Sequence, residues 1–128
     1  MLLAVAESEE IQSDLVPKIA TGFCGGVSRT SGMCGAVSGG IMAIGLFAGR
    51  SAPTESVADS YGMVRKLVED FGSQFGSTNC KELTGCDLGT DEGQKCFKEN
   101  NIRQKCRIFT EQATRIALGL IKQKVQSS

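Results

Sequence analysis

The chain has 128 residues, with 14 lysines and arginines against 14 aspartates and glutamates, six cysteines, and neither histidine nor tryptophan. Balanced charge argues against the basic footprint of a nucleic-acid or anionic-membrane binder, and scarce aromatics argue against a base-stacking surface. The length suits one domain, 1–128, with its own core, and without an imidazole base sulfur is the leading candidate for chemistry.

The N-terminal run Met1–Ala6 is apolar, but it lacks basic residues and gives way at once to Glu7, Glu9 and Glu10. It therefore does not read as a signal peptide. No apolar stretch approaches the roughly 20 residues of a membrane span, so the expectation is a soluble, cytoplasmic protein. Leu2 to Ile11 predicts a short helix. Ser13-Asp14 offers a cap for a second helix through Leu15, Val16, Ile19 and Ala20, with Pro17 in its first turn, where proline is tolerated.

Thr21 to Gly35 is rich in glycine and hydroxyls and reads as loop. From Met33 or Cys34 to Gly49 the chain is small and apolar. Ala36, Gly39, Gly40 and Ala43 share one side of a helix while Val37, Ile41, Ile44 and Leu46 take others, as in a buried helix. Ser51-Ala52-Pro53 ends it, and Thr54 is the expected cap of the next. Val57, Tyr61, Val64, Leu67, Val68, Phe71 and Phe75 then step by three and four, which predicts a core-facing stripe.

Cys80 to Leu88 predicts a short helical turn, followed by a loop over Gly89–Gly93. The last helix is expected from Ile102 to Val125, with Ile102, Cys106, Phe109, Ala113, Ile116 and Leu120 on one face. No strand alternation is present. The fold class is all-α: a compact bundle of about five helices around a buried, glycine-rich central helix, with faces suited to a homodimer.

Six cysteines inside a cell point to metal ligation or redox exchange. There is no Cys-x-x-Cys pair, so a zinc ribbon or thioredoxin-type dithiol is not indicated. Ten-residue steps separate Cys24 from Cys34, Cys86 from Cys96 and Cys96 from Cys106. Helical hairpins stapled by twin Cys-x9-Cys disulfides share that spacing, but the glycines between Cys24 and Cys34 do not suit one regular helix.

Cys34 opens the central helix, where orphan N–H groups and the macrodipole favour a thiolate. Cys106 lies on an apolar stripe, where burial is the default, yet it could meet Cys34 if the central and last helices pack together. Two converging thiols could form a redox disulfide; four could hold zinc or an iron–sulfur cluster.

The glycine loop around Cys24, Gly25, Gly26 and Gly35 allows close backbone approach to sulfur or a cofactor and offers N–H donors. It contains no phosphate-loop signature. The alternative is a non-enzymatic zinc-binding or structural module whose cysteines are small buried hydrophobes.

The segment Gly32-Met33-Cys34-Gly35-Ala36-Val37-Ser38-Gly39-Gly40, followed by Cys80-Lys81-Glu82-Leu83-Thr84-Gly85 and Cys106, resembles the C_GCAxxG_C_C family of putative redox-active proteins. The resemblance runs from about Leu2 to Leu120. It implies a small prokaryotic protein that uses cysteines in electron transfer, as a redox disulfide or around an iron–sulfur cluster, beside an oxidoreductase or transporter partner. By position the family cysteines correspond to Cys34, Cys80 and Cys106. The family's first cysteine is either Cys24 or missing through truncation before Met1. Cys86 and Cys96 are extra to the pattern: alternative ligands, a resolving thiol, or nothing.

Overall fold

A computed structural model describes residues 2–127. Its elements are helices α1 (Leu2–Ser8) and α2 (Leu15–Ala20), a 3-10 turn at Thr21–Phe23, a turn α3 (Cys24–Arg29), and helices α4 (Gly35–Ala48), α5 (Ala58–Phe75), α6 (Cys80–Thr84), α7 (Asp91–Glu99) and α8 (Ile102–Ser127). Among the described residues there is no strand, only one isolated antiparallel bridge between Met33 and Asn79. The all-α class follows. No helix among these residues is long and apolar enough to cross a membrane.

Helix α4 lies against α1, α5 and α8. Seven of its residues are buried, among them Ala36, Gly39, Gly40 and Ala43. Small side chains on several faces let three neighbours approach at once, which outweighs the helix propensity lost at each glycine. The core divides in two. Leu2, Val5, Val16, Ala43 and Ile121 pack at one end. At the other, Ala36, Val37, Phe71, Phe109 and Ala113 pack together, with Cys34 against them. Phe71, Phe75 and Phe109 form an aromatic triad with centroids 4.8–6.1 Å apart.

Several expectations are corrected. Helix α1 stops at Ser8, and the N–H of Ile11 returns to the Ala6 carbonyl at 2.8 Å. Thr54 is not a cap: α5 starts at Ala58, whose N–H bonds to Ser56 Oγ at 3.1 Å. Tyr61, expected in the core, is 68% exposed, and the buried positions of that helix are Leu67 and Phe71. The expected loop at 89–93 and the connector after it hold helix α7, capped by Thr90 Oγ1, which accepts from the Gly93 N–H at 2.9 Å.

The segment expected as plain loop contains a left-handed turn. Gly25, Gly26, Val27 and Ser28 all have φ between 53° and 64°. Two glycines adopt this freely, but each L-residue in it costs about 1–2 kcal/mol. Side chains from the turn support it: Ser28 Oγ donates to the Gly22 carbonyl at 2.7 Å and Thr30 Oγ1 to the Val27 carbonyl at 2.8 Å.

Candidate thiol site

The Met33–Asn79 bridge positions two cysteines. The N–H of Cys34 donates to the Thr78 carbonyl at 2.7 Å, and the N–H of Cys80 donates to the Gly32 carbonyl at 2.8 Å. Residues one step from a bridged pair project to the face opposite that pair, so Cys34 and Cys80 share a face. Asn79 fixes the arrangement. Its Nδ2 donates to the Ser31 carbonyl at 2.6 Å, and its Oδ1 caps α6 by accepting from the Glu82 N–H at 3.1 Å. Asparagine with glutamate three residues on is a capping-box pattern, so α6 starts at Cys80 for a local reason.

Cys34 caps α4 from the other segment. Its carbonyl accepts from the N–H groups of Val37 and Ser38, both at 3.0 Å. The left-handed turn closes over this pair. Gly26 has φ +64°, and a Cβ there would collide with Cys80, 2.9 Å from its Sγ. Only glycine meets both demands. At Gly35 a Cβ would lie 3.3 Å from the Phe23 carbonyl oxygen and 3.6 Å from Cys24 Cα, so the start of α4 runs directly beneath Cys24.

These segments border a cavity of about 320 Å³, open to solvent on one side and lined by Cys24, Cys34, Cys80 and Cys106. Gly25, Gly26 and Gly35 line it as well, so every candidate site residue of the sequence reading reaches this one cavity. Phe109 contributes an apolar wall and ties the cavity to the aromatic triad. Thr84 and Thr110 also line it and were not singled out from the sequence. Each lies four residues after a site cysteine, on the same helical face, and that spacing was the available signal. Thr84 Oγ1 donates to the Cys80 carbonyl at 2.8 Å, and Thr110 Oγ1 to the Cys106 carbonyl at 2.9 Å.

The electrostatics correct the expectation of a thiolate at Cys34. Burial pushes its thiol up; the N–H groups of Ala36 and Val37 pull it down, and burial wins. Cys80 is raised by burial and then by the charge of Cys34, with Thr84 acting in the opposite sense. Cys106 is raised by burial, then by Cys34 and Cys80. Three thiols thus feel one another, and ionising one makes the next harder to ionise. They rest as neutral thiols, with Cys24 exposed at the rim.

Sulfur donors suit zinc or an iron–sulfur cluster. Among the described residues, however, no three cysteine, aspartate or glutamate side chains gather closely enough to hold a metal ion. The donor chemistry matches such a group and the spacing does not. Cys86 and Cys96 lie outside the cavity lining.

A family model described as "Putative redox-active protein (C_GCAxxG_C_C)" matches residues 1–120. No curated protein and no solved structure matches the chain.

Proposed function

The chain belongs to the C_GCAxxG_C_C family, and from that premise we propose that Cys34 and Cys80 are its redox-active thiols, cycling between dithiol and disulfide in electron transfer. The observation that carries the reading is the bridge that sets the two on one face of a cavity. In the oxidising direction a thiolate of the pair attacks a disulfide R–S–S–R of a partner oxidoreductase and displaces one R–S⁻. The other thiolate resolves the mixed disulfide and displaces the second. Two thiols and one disulfide become one protein disulfide and two R–SH, so two electrons and two protons pass to the partner.

Cys106 is the third thiol of the cavity and Cys24 the exposed one at its rim. Raised thiols are poor nucleophiles at rest, so the pair would react when a docked partner supplies a base or a cationic group. Poising the purified protein in thiol–disulfide buffers and mapping its linkages tests this: a reversible Cys34–Cys80 bond supports it, and free thiols throughout oppose it.

A second reading keeps the same four cysteines as ligands of zinc or an iron–sulfur cluster, and rests on donor chemistry alone. It requires the thiols to draw closer together than they stand. Anaerobic reconstitution with iron and sulfide, followed by absorption spectroscopy and metal analysis, distinguishes it. Charge-transfer bands or tightly held zinc favour it over the disulfide.

A further inference from the structure

Two cysteines outside the cavity stand together. Cys86 follows α6, and its N–H bonds to Thr84 Oγ1 at 3.2 Å. Cys96 lies on α7. Their Sγ atoms are 2.7 Å apart. That is about 0.7 Å longer than a sulfur–sulfur bond, and well inside the roughly 3.5–4.0 Å at which unbonded heavy atoms of this size settle.

The backbone creates this approach. Thr90 turns back onto Asp87, with its N–H at 3.1 Å and its Oγ1 at 2.9 Å from the Asp87 carbonyl. Gly93, in the first turn of α7, packs so tightly on the Asp87 backbone that any Cβ there would collide with it. The glycine at 93 therefore lets α7 lie across the segment after α6 and carries Cys96 onto Cys86. The two thiols differ in access: Cys86 is 2% exposed, whereas Cys96 is half-buried with Asn100 Nδ2 at 3.5 Å from its sulfur.

We infer that Cys86 and Cys96 form a second dithiol site, separate from the cavity, which is oxidised to an internal disulfide by a low-molecular-weight disulfide of the glutathione type. The thiolate of Cys96 attacks one sulfur of R–S–S–R, forming a Cys96–S–S–R mixed disulfide and releasing R–S⁻. Cys86 then loses its proton to solvent and attacks Cys96 Sγ, forming the Cys86–Cys96 bond and releasing the second R–S⁻. Both leaving thiolates take up protons, so two protein thiols and R–S–S–R give one disulfide and two R–SH. The buried thiol resolves because the reagent does not reach it. Burial, first of all, then Cys96 and then the charge of Cys80 hold Cys86 up to about 11, with Lys105 acting in the opposite sense. Capping Cys96 as a mixed disulfide removes its charge and eases that last ionisation.

This inference does not rest on the proposed chemistry of Cys34 and Cys80. Trypsin cuts after Lys95 and so places Cys86 and Cys96 on different peptides, which makes a linkage between them directly visible. The full chain is equilibrated in reduced and oxidised glutathione, quenched by alkylation, digested and mapped. The expected result is a peptide pair joined through Cys86 and Cys96, appearing with one two-electron midpoint and disappearing in Cys96→Ser. In Cys86→Ala the reaction should stop at a glutathione adduct on Cys96. Circular dichroism checks that each variant is folded. Should a variant unfold, the wild-type linkage map decides alone. Because each linkage is mapped separately, loss of a Cys34–Cys80 bond and loss of this one are distinguishable. The inference is overturned if both cysteines stay singly alkylated across the whole buffer range, or if either is found bonded to a cavity thiol instead.

Discussion

Cys34 and Cys80 sit diagonally across the Met33–Asn79 bridge, each donating its backbone N–H to the other's segment, Cys34 to Thr78 at 2.7 Å and Cys80 to Gly32 at 2.8 Å. These main-chain bonds and the Asn79 Nδ2 bond to the Ser31 carbonyl hold the two segments together without using either sulfur, so the thiols are free for chemistry. Structure and reactivity can therefore be separated by mutation.

Cys34→Ser and Cys80→Ser should each retain helical circular dichroism, at a cost below about 1 kcal/mol for half-buried Cys34 and roughly 1–3 kcal/mol for buried Cys80. Each should abolish the proposed Cys34–Cys80 linkage. Global unfolding by either change would show that the thiols are structural.

Gly26→Ala should destabilise strongly. The residue sits at φ +64°, and its new Cβ would press on Cys80. The left-handed backbone costs about 1–2 kcal/mol and the overpacking about 1–3 kcal/mol, read as a lower urea midpoint. An unchanged midpoint would mean that the turn does not close over Cys80 as described.

The pH dependence carries a definite sign. Cys34, Cys80 and Cys106 are all raised, first by burial. Their alkylation in the reduced native protein should be slow at neutral pH and should accelerate only above the ordinary thiol range. Cys86, pushed up to about 11, adds a stability effect. A thiol whose folded value exceeds its unfolded one contributes stability fully below the unfolded value, and loses it as pH rises through the folded one. The reduced protein should lose stability between about pH 9 and 11, in a step that Cys86→Ala diminishes and that the three raised cavity thiols keep from vanishing. Fast labelling of Cys34 at pH 7 would contradict the burial argument.

Cys106→Ser and Cys86→Ser should differ. Cys106 is half-buried and faces the cavity, so its hydroxyl can meet water, and the cost should stay below about 1 kcal/mol. Cys86 is fully buried, which raises the expected cost to roughly 1–3 kcal/mol. Thermal unfolding of the reduced variants compares them directly; equal costs would remove the distinction between a cavity thiol and a core thiol.

Tyr61→Ala should change stability by no more than about 0.5 kcal/mol, because the ring is 68% exposed. A loss typical of a core aromatic, roughly 3–5 kcal/mol, would restore the stripe expected from the sequence.

The all-α class and the buried α4 were legible because small and apolar residues recur at helical spacing, a signal that survives without tertiary information. Four cysteines were named from their positions and the family resemblance and three glycines from the loop around Cys24, and these seven residues line one cavity. What was hidden depends on contacts distant in sequence. Tyr61 keeps the period of its helix but sits on the surface, outside both core clusters. The thiolate expected at Cys34 follows from its place at the helix start, yet burial, which the sequence does not display, overrides it. The left-handed turn includes Val27, a residue with no local preference for φ +53°. Helix α7 did carry a local signal, Thr90 followed by Asp91 and Glu92, obscured by the glycines on either side. With α7 unread, the ten-residue step from Cys86 to Cys96 was the one sign of their meeting, and it did not distinguish this pair from the other two.

The most direct test of the central claim is linkage mapping of the full-length protein after equilibration in thiol–disulfide buffers under anaerobic conditions. The account predicts a Cys34–Cys80 disulfide that forms and breaks reversibly with a single two-electron midpoint. Cys34 and Cys80 remaining unlinked and inert at every potential would contradict it.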